Sequence, residues 1–220
     1  MIEIYLFVNP IGNICYRTEQ NILNLIEESK RDITFRFIPL LSLNTIDNIL
    51  DRESLSKNDL NLRNTLSREV YRASLDYKAA LFQGQKRGRL FLLNVQDQIK
   101  NNAQYHYTEE IAQQAAIAAR LDLELFNEDC NSELAIKAFK QDQKLAAEMK
   151  VTQHPSVVIF DPSNEKTAFS ISGPDSMTFL DNVLTTQFCN HGETNVVAEK
   201  KALEQIQYSK KNSSHPLRLR

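Results

Sequence analysis

The residues most suited to chemistry lie close to the N-terminus. Gly12-Asn13-Ile14-Cys15 has the spacing of a Cys-x-x-Cys redox motif, but a glycine stands at the first cysteine position. In such a motif the first cysteine is the exposed nucleophile of low pKa, and the second cysteine resolves the mixed disulfide. Because Gly12 has no sulfur, thiol exchange at this motif lacks its usual attacking group.

Cys15 therefore has two interpretations. It could act alone as a reactive or sensing thiol, because a helix N-terminus stabilises a thiolate. It could also be a small, partly buried hydrophobic residue left at the resolving position. We prefer the second interpretation, since free cysteine is among the most buried residue types.

A second segment with possible chemistry is His154-Pro155, which precedes an apolar run. A histidine next to Cys15 could activate its thiol. The preferred interpretation is nevertheless a surface histidine.

The other two cysteines give no metal site. Cys130 lies in the polar segment 127–132, which indicates a loop or a helix cap. Cys189 and His191 offer only two ligands, whereas a zinc site needs several that converge. The sequence thus predicts no metal and no cofactor.

The motifs are positioned by a strand–helix–strand unit at the N-terminus. Residues 2–8 read as a buried strand, 13–29 as an amphipathic helix, and 33–40 as a second strand. A crossover of this kind is almost always right-handed and makes the two strands parallel.

A helical block follows, and then the strand signals return. Residues 45–150 carry helical periodicity, with Thr108 and Asn131 or Ser132 as candidate caps. The segment 83–89 is expected to be a solvated connection between two of these helices. Further expected elements are strands at 156–160 and 166–172, a helix at 175–188 and a polar tail at 189–220 whose last residues are basic.

Size and charge limit the classes of protein to which the chain can belong. Its 220 residues can bury a substantial core, and 26 basic against 28 acidic residues give a net charge of −2. No global basic field calls for nucleic acid, and no apolar run reaches the length of a membrane span. No signal peptide is evident, and an odd number of unpaired cysteines argues against a disulfide framework. We expect a soluble cytoplasmic protein.

The order of these elements resembles the DsbA-like branch of the thioredoxin superfamily. The resemblance is carried by the motif 9–15 and by Val151-Thr-Gln-His-Pro155-Ser-Val-Val-Ile, which is similar to the family's cis-proline loop. It implies an α/β fold with a thioredoxin-like, DsbA-type mixed sheet of four strands and an all-helical insertion. The implied division is a thioredoxin-like domain at 1–44 and 151–188, an insertion at 45–150 and the tail at 189–220.

Within this superfamily the chain is most similar to the cytosolic adaptors of the SpxH type. These adaptors deliver the regulator Spx to the ClpXP protease, so the resemblance implies a non-enzymatic role with a Spx-like regulator and the ClpXP unfoldase as partners. It also implies that Gly12, His154 and Pro155 form a docking strip for an extended peptide, which requires no thiol.

Two other functions remain open on the sequence. One is a monothiol-disulfide oxidoreductase or thiol-redox sensor that uses Cys15 with help from His154. The other is a glutathione-binding protein of the same superfamily. Replacement of Cys15 by serine separates these thiol-dependent roles from an adaptor.

Overall fold

The computed structural model describes residues 2–28, 33–100, 106–160 and 168–172. All of them fall in one compact unit that spans residues 1–179. The helix expected at 175–188, Cys189 and the tail at 189–220 lie outside the described residues.

Within the described residues, four strands form a mixed sheet, as the family resemblance implied. Its spatial order is β2-β1-β3-β4; β1 is parallel to β2 and antiparallel to β3, and β3 is antiparallel to β4. The strands are β1 (Ile2–Val8), β2 (Ile33–Pro39), β3 (Ser156–Phe160) and β4 (Ala168–Ser172).

The central strand β1 brings the two sequence motifs together. Leu6, Phe7 and Val8 are completely buried on this strand, which has a neighbouring strand along each edge. Phe7 is paired with Ser156, so the chain that leaves the end of β1 lies beside the chain that enters β3. The turn before Cys15 and the loop before Ser156 are therefore neighbours in space.

The described residues form seven helices beside the sheet, and six of them lie between β2 and β3. Side chains that precede the helices cap them, because an oxygen there accepts an otherwise unpaired backbone N–H. Thr108 and Ser132 do so for α5 and α7, which confirms both predicted starts. The helices are α1 (Asn13–Glu28), α2 (Leu43–Arg52), α3 (Leu60–Phe82), α4 (Gln85–Lys100), α5 (Glu109–Ala118), α6 (Leu123–Cys130) and α7 (Glu133–Glu148).

The helical block, which we define as α2 to α7, is built around the long helix α3. An apolar stripe on this helix is buried throughout and consists of Leu66, Val70, Ala73, Tyr77 and Ala80. The block occupies nearly the residues expected for an insertion. Its division from the rest as a domain at 45–150 stays a prediction.

One local prediction within the block is wrong. The segment 83–89 is not a loop, because α4 already begins at Gln85 and only Gln83 and Gly84, the latter with φ +118°, separate it from α3. Gly88 lies inside α4, where helices α3 and α4 are in close contact. A Cβ at this position would come within 2.6 Å of Leu81 Cδ2, so only glycine fits without a shift of its neighbour. Cys130, for which the sequence indicated a loop or a helix cap, is the buried last residue of α6, and Asn131 after it is the C-cap of that helix.

Polar contacts attach the helical block to strand β2. The Tyr77 hydroxyl donates to the Phe37 carbonyl at 3.3 Å. Gln143 on α7 donates to the Pro39 carbonyl at 2.7 Å and accepts from the Leu41 N–H at 3.1 Å. A shared apolar cluster adjoins these bonds and consists of Phe7, Ile38, Leu40, Ala146, Val151 and Val158.

Candidate functional site

Asn9 shapes the turn between β1 and α1. Its side-chain oxygen accepts the Ile11 N–H at 3.1 Å, and its carbonyl accepts the Gly12 N–H at 2.9 Å. Its own N–H donates to Cys15 Sγ at 3.2 Å. One buried asparagine thus fixes both the approach to Gly12 and the position of the thiol.

Cys15 meets His154 across the sheet. The distance between Cys15 Sγ and His154 Nδ1 is 3.4 Å, which confirms that the two motifs come together. His154 is only 2% exposed, so the expectation of a surface histidine is wrong. The reason is the pairing of β3 with β1, which draws the start of β3 over the first turn of α1.

Both groups of this pair are neutral near pH 7. Complete burial raises the pKa of the Cys15 thiol to about 12, with the Asn9 N–H opposing the shift. Burial lowers the pKa of His154 to about 4, and the positive charge of Arg52 adds to that effect. A thiol therefore faces an imidazole, rather than a thiolate facing an imidazolium. This supports the interpretation of Cys15 as a small buried residue.

Gly12 permits close packing in the turn. A Cβ at this position would lie 3.0 Å from Asn9 Cβ and 3.3 Å from Cys15 Sγ. The first contact is tighter than an ordinary van der Waals distance, so the glycine relieves a crowded turn. The second contact places position 12 directly beside the remaining sulfur.

The loop that carries Pro155 presents its preceding residues to solvent. The His154–Pro155 bond is cis, as the family resemblance implied. The side chains of His154 and Pro155 are buried, whereas Thr152 and Gln153 are exposed. The Thr152 carbonyl accepts the Ser42 hydroxyl at 3.2 Å, which holds this loop against the start of α2.

Two functional residues of this region were missed at the sequence level. Glu19 lies one turn after Cys15, and Gln96 comes from helix α4. The Gln96 amide donates to Glu19 Oε1 at 2.7 Å and to the Asn9 carbonyl at 3.3 Å. The spacing of Cys15, Glu19 and Ile22, all completely buried, could have revealed the acid as part of the apolar stripe of α1.

Cys130 belongs to a different place, a cleft of about 390 Å³ in the helical block. Asp76 lies at its base and accepts the Tyr107 hydroxyl at 2.7 Å, and its carboxylate is paired with Arg72 at 3.0 Å. Burial and then the Asp76 carboxylate raise the pKa of Cys130, so this thiol is also protonated at neutral pH.

Neither a metal-binding cluster nor a membrane-spanning helix is present among the described residues. Among those that the structure describes, no three histidine, cysteine or acidic side chains are grouped so that they could hold a metal ion. Cys189 and His191 are outside that part of the chain. None of the described helices is both long and apolar enough to cross a bilayer.

The family is identified by similarity to known proteins. The family model for thioredoxin matches residues 5–182. The chain belongs to the thioredoxin family. Solved structures agree on the fold. One of them, from Nitrosomonas europaea and provisionally named a protein disulfide isomerase, has a TM-score of 0.63 at 13% identity, and the match covers 87% of this chain and 100% of that chain. A probable DsbA oxidoreductase from Streptomyces coelicolor has a TM-score of 0.57 at 14% identity, covering 90% and 94%.

The relatives with higher sequence identity are named as adapter proteins rather than as disulfide isomerases or oxidoreductases. The ClpXP adapter protein SpxH of Bacillus licheniformis is 31% identical over 196 residues, which are 83% of this chain and 65% of that protein. The protein of the same name from Bacillus subtilis is 29% identical over 198 residues, which are 83% and 66%. The chain thus spans slightly less than two thirds of the length of these relatives.

Proposed function

We propose that this thioredoxin-family chain is a protein-binding adaptor that presents a Spx-like regulator to the ClpXP protease. The similarity to proteins named ClpXP adapter protein SpxH, over 83% of the chain, supports this partner class. The DsbA-like neighbours support the fold only, because their sequences are less than 20% identical.

The observation that carries the proposal is the state of Cys15. Its thiol is completely buried and protonated, and the neighbouring position 12 has no sulfur. Disulfide exchange requires a thiolate that can reach its target. The site therefore keeps the framework of a redox centre without an accessible nucleophile, which favours binding over electron transfer.

The partner contact would use the exposed chain beside the site. Thr152 and Gln153 are open to solvent, and Leu43, next to the Ser42 that holds this loop, is 76% exposed. Backbone groups in such a loop can bind an extended peptide through main-chain hydrogen bonds. In this proposal Gly12, His154 and Pro155 shape the docking strip from below.

A degradation assay with purified components tests the adaptor role. Bacillus subtilis ClpXP and Spx are incubated with the chain, and the half-life of Spx is measured. We expect the chain to shorten this half-life several-fold and Cys15→Ser to act like the wild type. Gln153→Pro, checked for native helicity by circular dichroism, is expected to lose most of the acceleration because it removes a backbone N–H from the exposed part of this loop. Absence of any acceleration by the wild type contradicts the proposal.

The 3.4 Å contact between Cys15 and His154 favours one competing role, a monothiol oxidoreductase or redox sensor. Turnover of a small disulfide in the presence of glutathione is its direct test. We expect the rate with the wild type to equal the rate with Cys15→Ser. A higher wild-type rate that the serine variant abolishes would support the oxidoreductase instead.

A further inference from the structure

Glu19 is a carboxylic acid buried between helices α1 and α4, and no cation of the described residues is paired with it. It is completely buried on α1, on the same stripe as Cys15 and Ile22. Among the described residues, its hydrogen-bond donor is the neutral Gln96 amide of α4, at 2.7 Å, and Oε2 has no hydrogen-bond partner there. An ionised carboxylate in such surroundings is costly, whereas a protonated one is not.

The titratable groups around Glu19 do not change this balance. Cys15 on its own helix and Tyr77 on α3 face it, and both are neutral at pH 7 because burial raises the pKa of each group. On α4, Asp97 and Lys100 lie near Tyr16 at the rim of the α1–α4 contact. Burial raises the pKa of Glu19 to about 8, and only the bond from Gln96 opposes it.

A chain of hydrogen bonds connects this acid to the candidate site. Gln96 donates to the Asn9 carbonyl at 3.3 Å as well as to Glu19. The Asn9 N–H in turn donates to Cys15 Sγ, and that sulfur contacts His154. Helix α4 of the helical block is thereby joined to the turn before Cys15 and to the loop that precedes β3.

We propose that Glu19 is a buried proton-binding site that seats helix α4 against the turn at Asn9, and that release of this proton loosens the turn. Ionised Glu19 needs water, and water reaches it only when α4 moves away from α1. A regulatory consequence for partner binding rests on the proposed function, but the effect on the turn does not. The proton thus controls how firmly the helical block holds the site.

The sign of the pH dependence follows from the raised pKa. Between the usual carboxyl pKa of 4.5 and about 8, the closed turn binds more protons than the open turn, so opening becomes easier as pH rises and levels off beyond that range. His154 acts in the opposite direction between its usual pKa of 6.5 and about 4. The effect of Glu19 is therefore isolated between about pH 6.5 and 8.

Amide hydrogen exchange measures the opening directly. The reporters are the Asn9 N–H, bonded to Cys15 Sγ, and the Tyr16 N–H, bonded to the Gly12 carbonyl. After correction for intrinsic exchange, we expect their protection in the wild type to fall about tenfold per pH unit between pH 6.5 and 7.5. Glu19→Gln should abolish the fall, because its amide reproduces the shape of the protonated acid and can still accept from Gln96.

Glu27→Gln is the matched control, because Glu27 lies exposed on the same helix. This variant should keep the wild-type fall. Carbon-13 NMR of the Glu19 carboxyl should show a titration midpoint several pH units above 4.5. A midpoint near 4.5, or a Glu19→Gln profile parallel to the wild type, overturns the inference. Neither measurement involves a partner, so a failed degradation assay would reject the proposed function and leave this inference standing.

Discussion

At the scale of single residues, the turn before Cys15 has the geometry of a dithiol site with one atom missing. A Cβ at position 12 would lie 3.3 Å from Cys15 Sγ. Across a disulfide, the Cβ of one cysteine is roughly 3 Å from the sulfur of the other, as the bond lengths require. The backbone therefore still holds the two positions at a separation that a disulfide can bridge.

Gly12→Cys is predicted to restore a disulfide. Under mild oxidation the variant should lose two titratable thiols and 2 mass units, as expected for a bond between positions 12 and 15. The crowded contact with Asn9 should make the variant less stable by about 1–3 kcal/mol. Thiol titration in denaturant and intact-mass measurement check the bond. The double variant Gly12→Cys/Cys15→Ser serves as control, and equal thiol counts before and after oxidation would contradict the prediction.

Residue roles were partly visible in the sequence. Cys15 and Pro155 could be placed because the spacing of each motif survives. The burial of His154 and the hydrogen bonds of Gln96 could not be predicted in the same way. The contact of His154 with Cys15 and that of Gln96 with Glu19 join residues 139 and 77 positions apart in the chain, and such contacts depend on how the sheet and the helices pack in the folded protein.

At the scale of elements, the contact between α3 and α7 depends on a buried ion pair. Lys78 Nζ lies 2.7 Å from an Asp142 oxygen, and the two side chains are 8% and 4% exposed. Burial raises the pKa of Asp142, and Lys78 opposes the rise. Each charge is tolerated in this place because of the other.

Asp142→Asn is predicted to destabilise the protein by about 3 kcal/mol, since it leaves the Lys78 ammonium buried without a counter-charge. The same kind of change in an exposed pair is a matched control. Glu148→Gln breaks the contact with Lys144 and should cost less than about 0.5 kcal/mol of stability. Urea unfolding measures both free energies. An equal loss of unfolding free energy in the two variants would show that the buried pair stabilises the protein no more than the exposed pair does.

Replacement of the whole pair gives an independent check. Lys78→Met/Asp142→Leu removes both charges together and keeps an apolar contact between the helices. Its cost should be smaller than that of Asp142→Asn alone, because no buried charge remains.

The elements themselves were predicted better than their ends. Long helices with clear apolar stripes and capping residues, such as α3 and α7, could be placed from periodicity. Helix α6 was missed because its eight residues are too few to show a period, although Asp122 before it is a capping signal. The start of α4 was hidden by Gly84 and Gly88, of which only the first interrupts a helix.

At the scale of the whole molecule, the helical block and the sheet stabilise one another through hydrogen bonds and shared apolar contacts. Tyr77 and Gln143 bond to backbone groups of β2, and Gln96 bonds to the turn after β1. The cluster around Phe7 and Ala146 mixes strand and helix residues in one apolar core. Neither part keeps its buried surface if the other is removed.

We therefore predict a single cooperative unfolding transition for residues 2–172. Far-ultraviolet circular dichroism reports the helical block, and pulsed alkylation of Cys15, read by peptide mass spectrometry, reports the turn beside the sheet. The two urea midpoints should coincide within error. Labelling of Cys15 at a lower urea concentration, with helicity intact, would indicate that the parts unfold separately.

The overall topology followed from the family resemblance, which the order of the elements and the two motifs carry together. What sequence patterns could not supply is the mutual dependence of the two parts. That dependence arises from polar side chains such as Gln96 and Gln143, whose partners are backbone atoms and leave no pattern in the sequence.

The burial of Cys15 and Cys130 has a consequence for a cell under oxidative attack. Peroxides and electrophiles modify exposed thiolates, and neither of these sulfurs is exposed or ionised. Through these two positions the protein would continue to operate while more vulnerable thiols around it are consumed.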